Sequence, residues 1–98
     1  MAKGYWITLY RSVSNPDALK QYAALAGPAI VAGGGRFLVR GTPARTVEAG
    51  ISDRTVVIEF ESVEKAIATY NGPDYQVALK ALGNAAVRDV RFAEGFSG

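Results

Sequence analysis

The chain has 98 residues, 49% hydrophobic and 20% charged, with eleven Lys and Arg against nine Asp and Glu for a net charge of +2. That length and composition suit one globular domain over residues 1–98 and exclude a disordered chain. So small a cationic excess is not the basic stripe that nucleic acid or an anionic lipid surface requires. Cysteine and histidine are both absent, which removes disulfides, thiolate nucleophiles, Ser-His-Asp triads and the usual proximal haem ligand. No metal and no cofactor is expected.

Met1 to Trp6 holds neither an apolar leader core nor a run of 18 apolar residues, so a cytoplasmic chain with no membrane contact is the default. Tyr5–Tyr10 alternates and is rich in β-branched and aromatic residues, which predicts a strand. Asn15-Pro16-Asp17 is a helix start: a side-chain cap, a proline at the first helical position and an acid at the positive end of the dipole. Leu19, Tyr22, Ala23, Ala26 and Ile30 recur with helical spacing and mark its buried face. Gly27-Pro28 is expected to kink or break that helix, and Gly33-Gly34-Gly35 to end it with a left-handed cap.

Arg36–Arg40 reads as a second strand that Gly41-Thr42-Pro43 disturbs, with Ala44–Val47 resuming it as an arm. A loop over 49–53 and a third strand over Thr55–Phe60 follow. Ser62 caps a second helix whose stripe is Val63, Ala66, Ile67 and Tyr70. Asn71-Gly72-Pro73-Asp74 stops that helix, with Asn71 as a left-handed cap, and starts a third one carrying Tyr75, Ala78, Leu79 and Leu82. Val87–Glu94 is the last strand. The order β-α-β-β-α-β is the split βαβ arrangement of ferredoxin-like α+β domains: a four-stranded antiparallel sheet with its helices on one face.

Alternation divides each strand between two faces. Aliphatic content assigns Tyr5, Ile7, Leu9, Phe37, Val39, Val56, Ile58, Phe60, Val90 and Phe92 to the helix side. Trp6, Thr8, Tyr10, Leu38, Arg40, Thr55, Val57, Glu59, Asp89 and Arg91 fall on the other. The apolar part of that second set is a patch monomers seldom expose, so a homodimer is expected to cover it.

Lys3-Gly4-Tyr5-Trp6, the run Gly34–Gly41, Val57–Phe60 and Tyr70–Gln76, in this order and spacing, resemble the domain of unknown function 1330 family of the dimeric α+β barrel superfamily. The resemblance covers residues 3–94. It implies a ferredoxin-like protomer that pairs into a barrel, and no particular activity. The superfamily also includes monooxygenases, isomerases and haem enzymes, the last depending on a histidine this chain lacks.

The candidate site residues follow from the second face. Arg40 is placed to hold a carboxylate or enolate and Glu59 to serve as a base; the plainer alternative is an ion pair fixing the dimer, with Arg91 as a third member. Trp6 is either a stacking platform for a planar ligand or an interface anchor. Asn71 and Tyr75 are candidates for a pocket mouth, against a reading as turn chemistry alone. Gly33–Gly35 follows a helix, so it has the wrong geometry for a phosphate loop. RNA binding is disfavoured because Thr55, Val57 and Glu59 offer nothing that stacks on a base.

Three functions remain in play. The first is a homodimeric small-molecule-binding domain, with an anionic organic molecule among the candidate ligands. The second is a cofactor-independent enzyme of monooxygenase or isomerase type using Glu59 or Tyr75 for proton transfer. The third is a structural dimer.

Overall fold

The computed structural model describes residues 2–96. Its elements are β1 (Gly4–Val13), α1 (Pro16–Ala32), β2 (Arg36–Gly41), β3 (Thr55–Phe60), α2 (Val63–Asn71), α3 (Pro73–Leu82) and β4 (Ala86–Glu94). The strands form one antiparallel sheet in the order β2-β3-β1-β4, the ferredoxin-like arrangement. No helix among the described residues is long and apolar enough to cross a membrane.

The helix ends follow the chemistry of their residues. The Asn15 side chain accepts from the Ala18 N–H at 3.2 Å and the Ser62 hydroxyl accepts from the Lys65 N–H at 3.2 Å. Gly34 adopts φ 99°, and the Gly35 N–H reaches Ile30 O while the Gly34 N–H reaches Val31 O. This paired closure needs a left-handed residue between its two bonds.

Three local expectations are corrected. Gly27-Pro28 does not break α1, which runs through Pro28 to Ala32. Pro28 and Ala24 are both exposed, so water can serve the Ala24 carbonyl that the proline leaves without a donor. Asn71 is not left-handed; it is the last residue of α2, and the extended Gly72 both closes α2 and opens α3. The segment Thr42–Arg54 forms no arm strand. It is irregular, with a tight turn at Val47–Gly50 in which Glu48 adopts φ 53°.

The core lies between the sheet and the three helices, and its largest fully buried side chains are Trp6, Tyr75, Phe60 and Ile58. Each side chain of this size stabilises the fold by roughly 1.5–3 kcal/mol through its removal from water. Trp6 stands edge-on to Tyr75 at 4.7 Å between ring centres and to Tyr70 at 5.5 Å, within the separations favoured by aromatic pairs. Its buried Nε1–H has no hydrogen-bond partner among the described residues.

The phase of β1 is the reverse of the expected one. Gly4, Trp6, Thr8 and Tyr10 face the helices, and Tyr5, Ile7 and Leu9 line the open face. Gly4 sets this phase: a Cβ there would stand 2.3 Å from the Val63 nitrogen, so only glycine fits beneath the start of α2. Two residues on, the widest apolar side chain in the chain falls into the core. Aliphatic content misled because the open face also carries apolar groups.

Candidate functional site

Residues expected to meet on one face are divided between two. Ladder partners share a face, so Glu59, opposite Tyr5 and Arg36, lies on the open side. Arg40 lies opposite Val56 on the helix side. The separation is the work of a β-bulge. Phe37 pairs with Ile58 and Val39 with Val57, leaving Leu38 as an extra residue. One extra residue reverses the facing of all that follow, so Val39 turns outward and Arg40 turns in. The expected Arg40–Glu59 pair does not form. Glu59 instead accepts a hydrogen bond from the Tyr5 hydroxyl at 3.0 Å, a contact that raises the Tyr5 pKa. The Arg40 guanidinium lies 4.8 Å from the centre of the Phe37 ring.

Arg91 also has another partner. It holds Asp89 through two hydrogen bonds, at 3.0 and 2.8 Å, with Arg11 at 3.8 Å. The Arg91 contact is the main cause of a lowered Asp89 pKa. Ile7, Leu9 and Val57 are half-buried around these charges, and Leu38 and Val39 are exposed beside them. The second face is therefore apolar at its centre and charged at its margins.

The pocket lies on the opposite side, between α1 and the sheet. It is a cavity of about 270 Å³. Ala26 and Ile30 of α1, Phe37 of β2 and Val56 and Ile58 of β3 supply aliphatic and phenyl walls, and Trp6, Thr8 and Tyr10 of β1 complete the sheet side. Lys20 and Arg40, both exposed, stand at the rim with the half-buried Arg54. No carboxylate is among the residues lining it.

Arg88 of β4 is the central polar group of this cavity. It pairs with Tyr10 across the ladder, which turns it towards the helices. One terminal nitrogen donates to the Tyr22 hydroxyl at 3.0 Å, and the other reaches the Tyr75 hydroxyl at 3.4 Å. The two phenols are joined at 2.7 Å. The guanidinium also lies 4.9 Å from the centre of the Tyr22 ring and 5.6 Å from that of Tyr10, within cation–π range. Among the described residues it has no carboxylate partner.

Burial, the strongest influence on Arg88, disfavours its charged form, but Tyr22 and Tyr75 outweigh it and the net direction is upward. Burial also pushes the Tyr75 phenol far above its ordinary value, with Tyr22 adding to the rise and Arg88 opposing it. The Tyr10 phenol moves upward mainly for the same reason. At neutral pH the site therefore presents a permanent cation beside the neutral Tyr75 and Tyr10 phenols, which suits it to stabilising negative charge and not to removing protons.

Of the candidate residues, Trp6 and Arg40 line the cavity, while Tyr75 lies behind it, 1% exposed and reaching it through Tyr22 and Arg88. Asn71 is exposed at the end of α2 and Glu59 lies across the sheet, neither lining the cavity. Sequence reasoning missed Arg88, Tyr10 and Arg54 as site residues. For Arg88 a signal was present: it stands two residues before Val90 and four before Phe92, on the strand face already assigned to the core.

Comparison with known proteins agrees with this architecture. The structure is similar to a protein of unknown function from Rhodopseudomonas palustris, with a TM-score of 0.71 and 20% identity over 99% of this chain and 85% of that one. A dimeric ferredoxin-like protein of unknown function from Thermobifida fusca matches with a TM-score of 0.63 and 21% identity over 95% of this chain and 91% of that one. SnoaB, a cofactor-independent oxygenase from Streptomyces nogalater, matches with a TM-score of 0.58 and 10% identity, over 99% and 94%. No curated protein matches the sequence. The family model described as Domain of unknown function (DUF1330) matches residues 3–96.

Proposed function

The chain belongs to the DUF1330 family, a membership that carries a fold and no assigned activity, and from that premise we propose a homodimeric domain that binds a small organic molecule inside each protomer. The observation that carries the reading is the cavity beneath α1: about 270 Å³, walled mainly by apolar groups, with polar groups at its rim and on β4. Small-molecule sites are commonly concave, mostly apolar and provided with a few convergent polar groups. An apolar cavity of about 150 Å³ accepts benzene, so this one has room for a molecule of one or two rings.

Dimerisation concerns the other face. Ile7, Leu9 and Val57 at its centre favour burial against a second copy, and the similar protein from Thermobifida fusca is described as dimeric. Binding and pairing therefore use opposite sides of one sheet.

The test of binding is methyl NMR. Titration with benzyl alcohol is expected to shift the methyl signals of Ile30, Val56 and Ile58, and Ala26→Leu, which fills the cavity, is expected to suppress those shifts. Absence of the shifts, or their persistence in Ala26→Leu, would sink the reading.

A cofactor-independent monooxygenase- or isomerase-type activity is the second reading. What favours it is the Arg88–Tyr22–Tyr75 cluster, which could stabilise an enolate or phenolate as charge develops. With Glu59 on the opposite face, no side-chain carboxylate lines the cavity to take a proton, and binding stands ahead of turnover.

A further inference from the structure

An arginine drawn out of water ordinarily has a carboxylate beside it, because an unpaired charge in a low-dielectric setting is costly. Arg88 is half-buried and has two phenols instead. Phenols accept hydrogen bonds without neutralising charge. A guanidinium has five N–H donors, and the contacts to Tyr22 and Tyr75 occupy one on each terminal nitrogen. The remaining donors have no protein acceptor among the described residues. The rim adds the positive charges of Lys20, Arg40 and Arg54, so every charged side chain lining the way to Arg88 is cationic.

On the reading that this cavity is a ligand site, we propose that its ligand is an aromatic carboxylate whose carboxylate pairs with Arg88. The planar fork of the guanidinium matches two carboxylate oxygens side by side. The opposing walls, Ala26, Ile30, Ile58 and Phe37, offer no donors, so a phosphate group carrying two charges would leave oxygens unsatisfied there. A flat ring between Phe37 and Tyr10 fills the apolar part and leaves none of those walls facing water. Tyr22 and Tyr75 are positioning residues: they hold the guanidinium in place and leave its charge for the ligand.

Calorimetric titration with 2-naphthoate and its uncharged isostere 2-naphthamide separates this inference from the reading beneath it. Wild-type protein is expected to bind the carboxylate at least tenfold more tightly than the amide. Arg88→Met is expected to abolish that preference while leaving the amide affinity within about threefold; Arg88→Lys should retain part of it. Tyr22→Phe, which keeps the charge and loosens its support, is expected to lower naphthoate affinity alone. Equal wild-type affinity for the two probes overturns the carboxylate inference and leaves the cavity reading standing. Binding of neither probe overturns both. A preference that survives Arg88→Met assigns the selectivity to the rim cations and also overturns the inference. Should Arg88→Met fail to fold, the wild-type pair of titrations and Tyr22→Phe still decide the matter.

Discussion

Arg88 owes its setting to three tyrosines contributed by three elements: Tyr10 from β1, Tyr22 from α1 and Tyr75 from α3. Each phenol removes apolar surface from water with its ring and spends its hydroxyl within the cluster or at the cavity. Gly4 is as consequential by having no side chain. Gly4→Ala would drive a methyl group into the backbone at Ser62 and Val63. Overpacking of this kind typically costs about 1–3 kcal/mol and occasionally more, and contact with backbone places this case at the upper end. Urea denaturation should show a midpoint well below wild type, with the slope unchanged; a variant of wild-type stability would show that α2 moves aside freely. The same residue explains what the sequence could convey about β1. Alternation was legible, but its phase was not, because two apolar sets alternated and hydrophobicity could not choose between them. The requirement that put Gly4 against α2 belongs to tertiary packing.

Among the elements, the helices were the most readable. Asn15 and Ser62 cap where local chemistry places them, and the faces carrying Tyr22, Ala26 and Ile30, and Tyr75, Ala78 and Leu82, are the buried ones. Pro28 is the exception, since a helix tolerates an interior proline when the freed carbonyl meets water. The proline still costs α1 a hydrogen bond. Pro28→Ala is therefore expected to raise stability by about 1–2 kcal/mol, less than the ~3 kcal/mol interior penalty because alanine also frees the unfolded chain. Differential scanning calorimetry gives the answer, and a lower melting temperature would mean that the proline shapes a bend on which packing against α3 depends. The strands were legible as strands and only partly legible as surfaces. In β4 the expected face held, with Val90 and Phe92 inward. In β2 the bulge at Leu38 left no mark in residue type, since Phe37-Leu38-Val39 could alternate either way. Half of the expected Arg40–Glu59 site was lost to that one residue.

For the whole molecule, the sheet separates two tasks. One face closes over the helices and carries the cavity; the other presents Ile7, Leu9 and Val57 with a rim of ion pairs. Leu9→Lys would place a charge in the centre of that second face, directly opposite Asp89 and Thr55. Light scattering is expected to show wild type at twice the protomer mass and Leu9→Lys at the protomer mass. Because the cavity is walled within one protomer, naphthoate binding by the variant should stay within about threefold of wild type. A monomeric wild type would refute the pairing; a variant that lost both pairing and binding would mean that the partner shapes the cavity. The general order of elements, and the need for something to cover the second face, could be read from the sequence. Val57 was placed there from the sequence, but the β1 residues that needed covering could not be, because that depended on the phase of β1.

The bulge at Leu38 makes the register of β2, as well as its composition, a determinant of what this sheet can recognise. The same residues paired regularly, with Leu38 taken into the alternation, would carry the Arg40 charge from the cavity rim to the open face of the sheet without altering a single side chain. Homologous chains alike in the sequence of this strand but unlike in its bulge would then share a fold and a family yet differ in the charge at the cavity rim. A comparison of residue types would pass over that difference, which is written in the register.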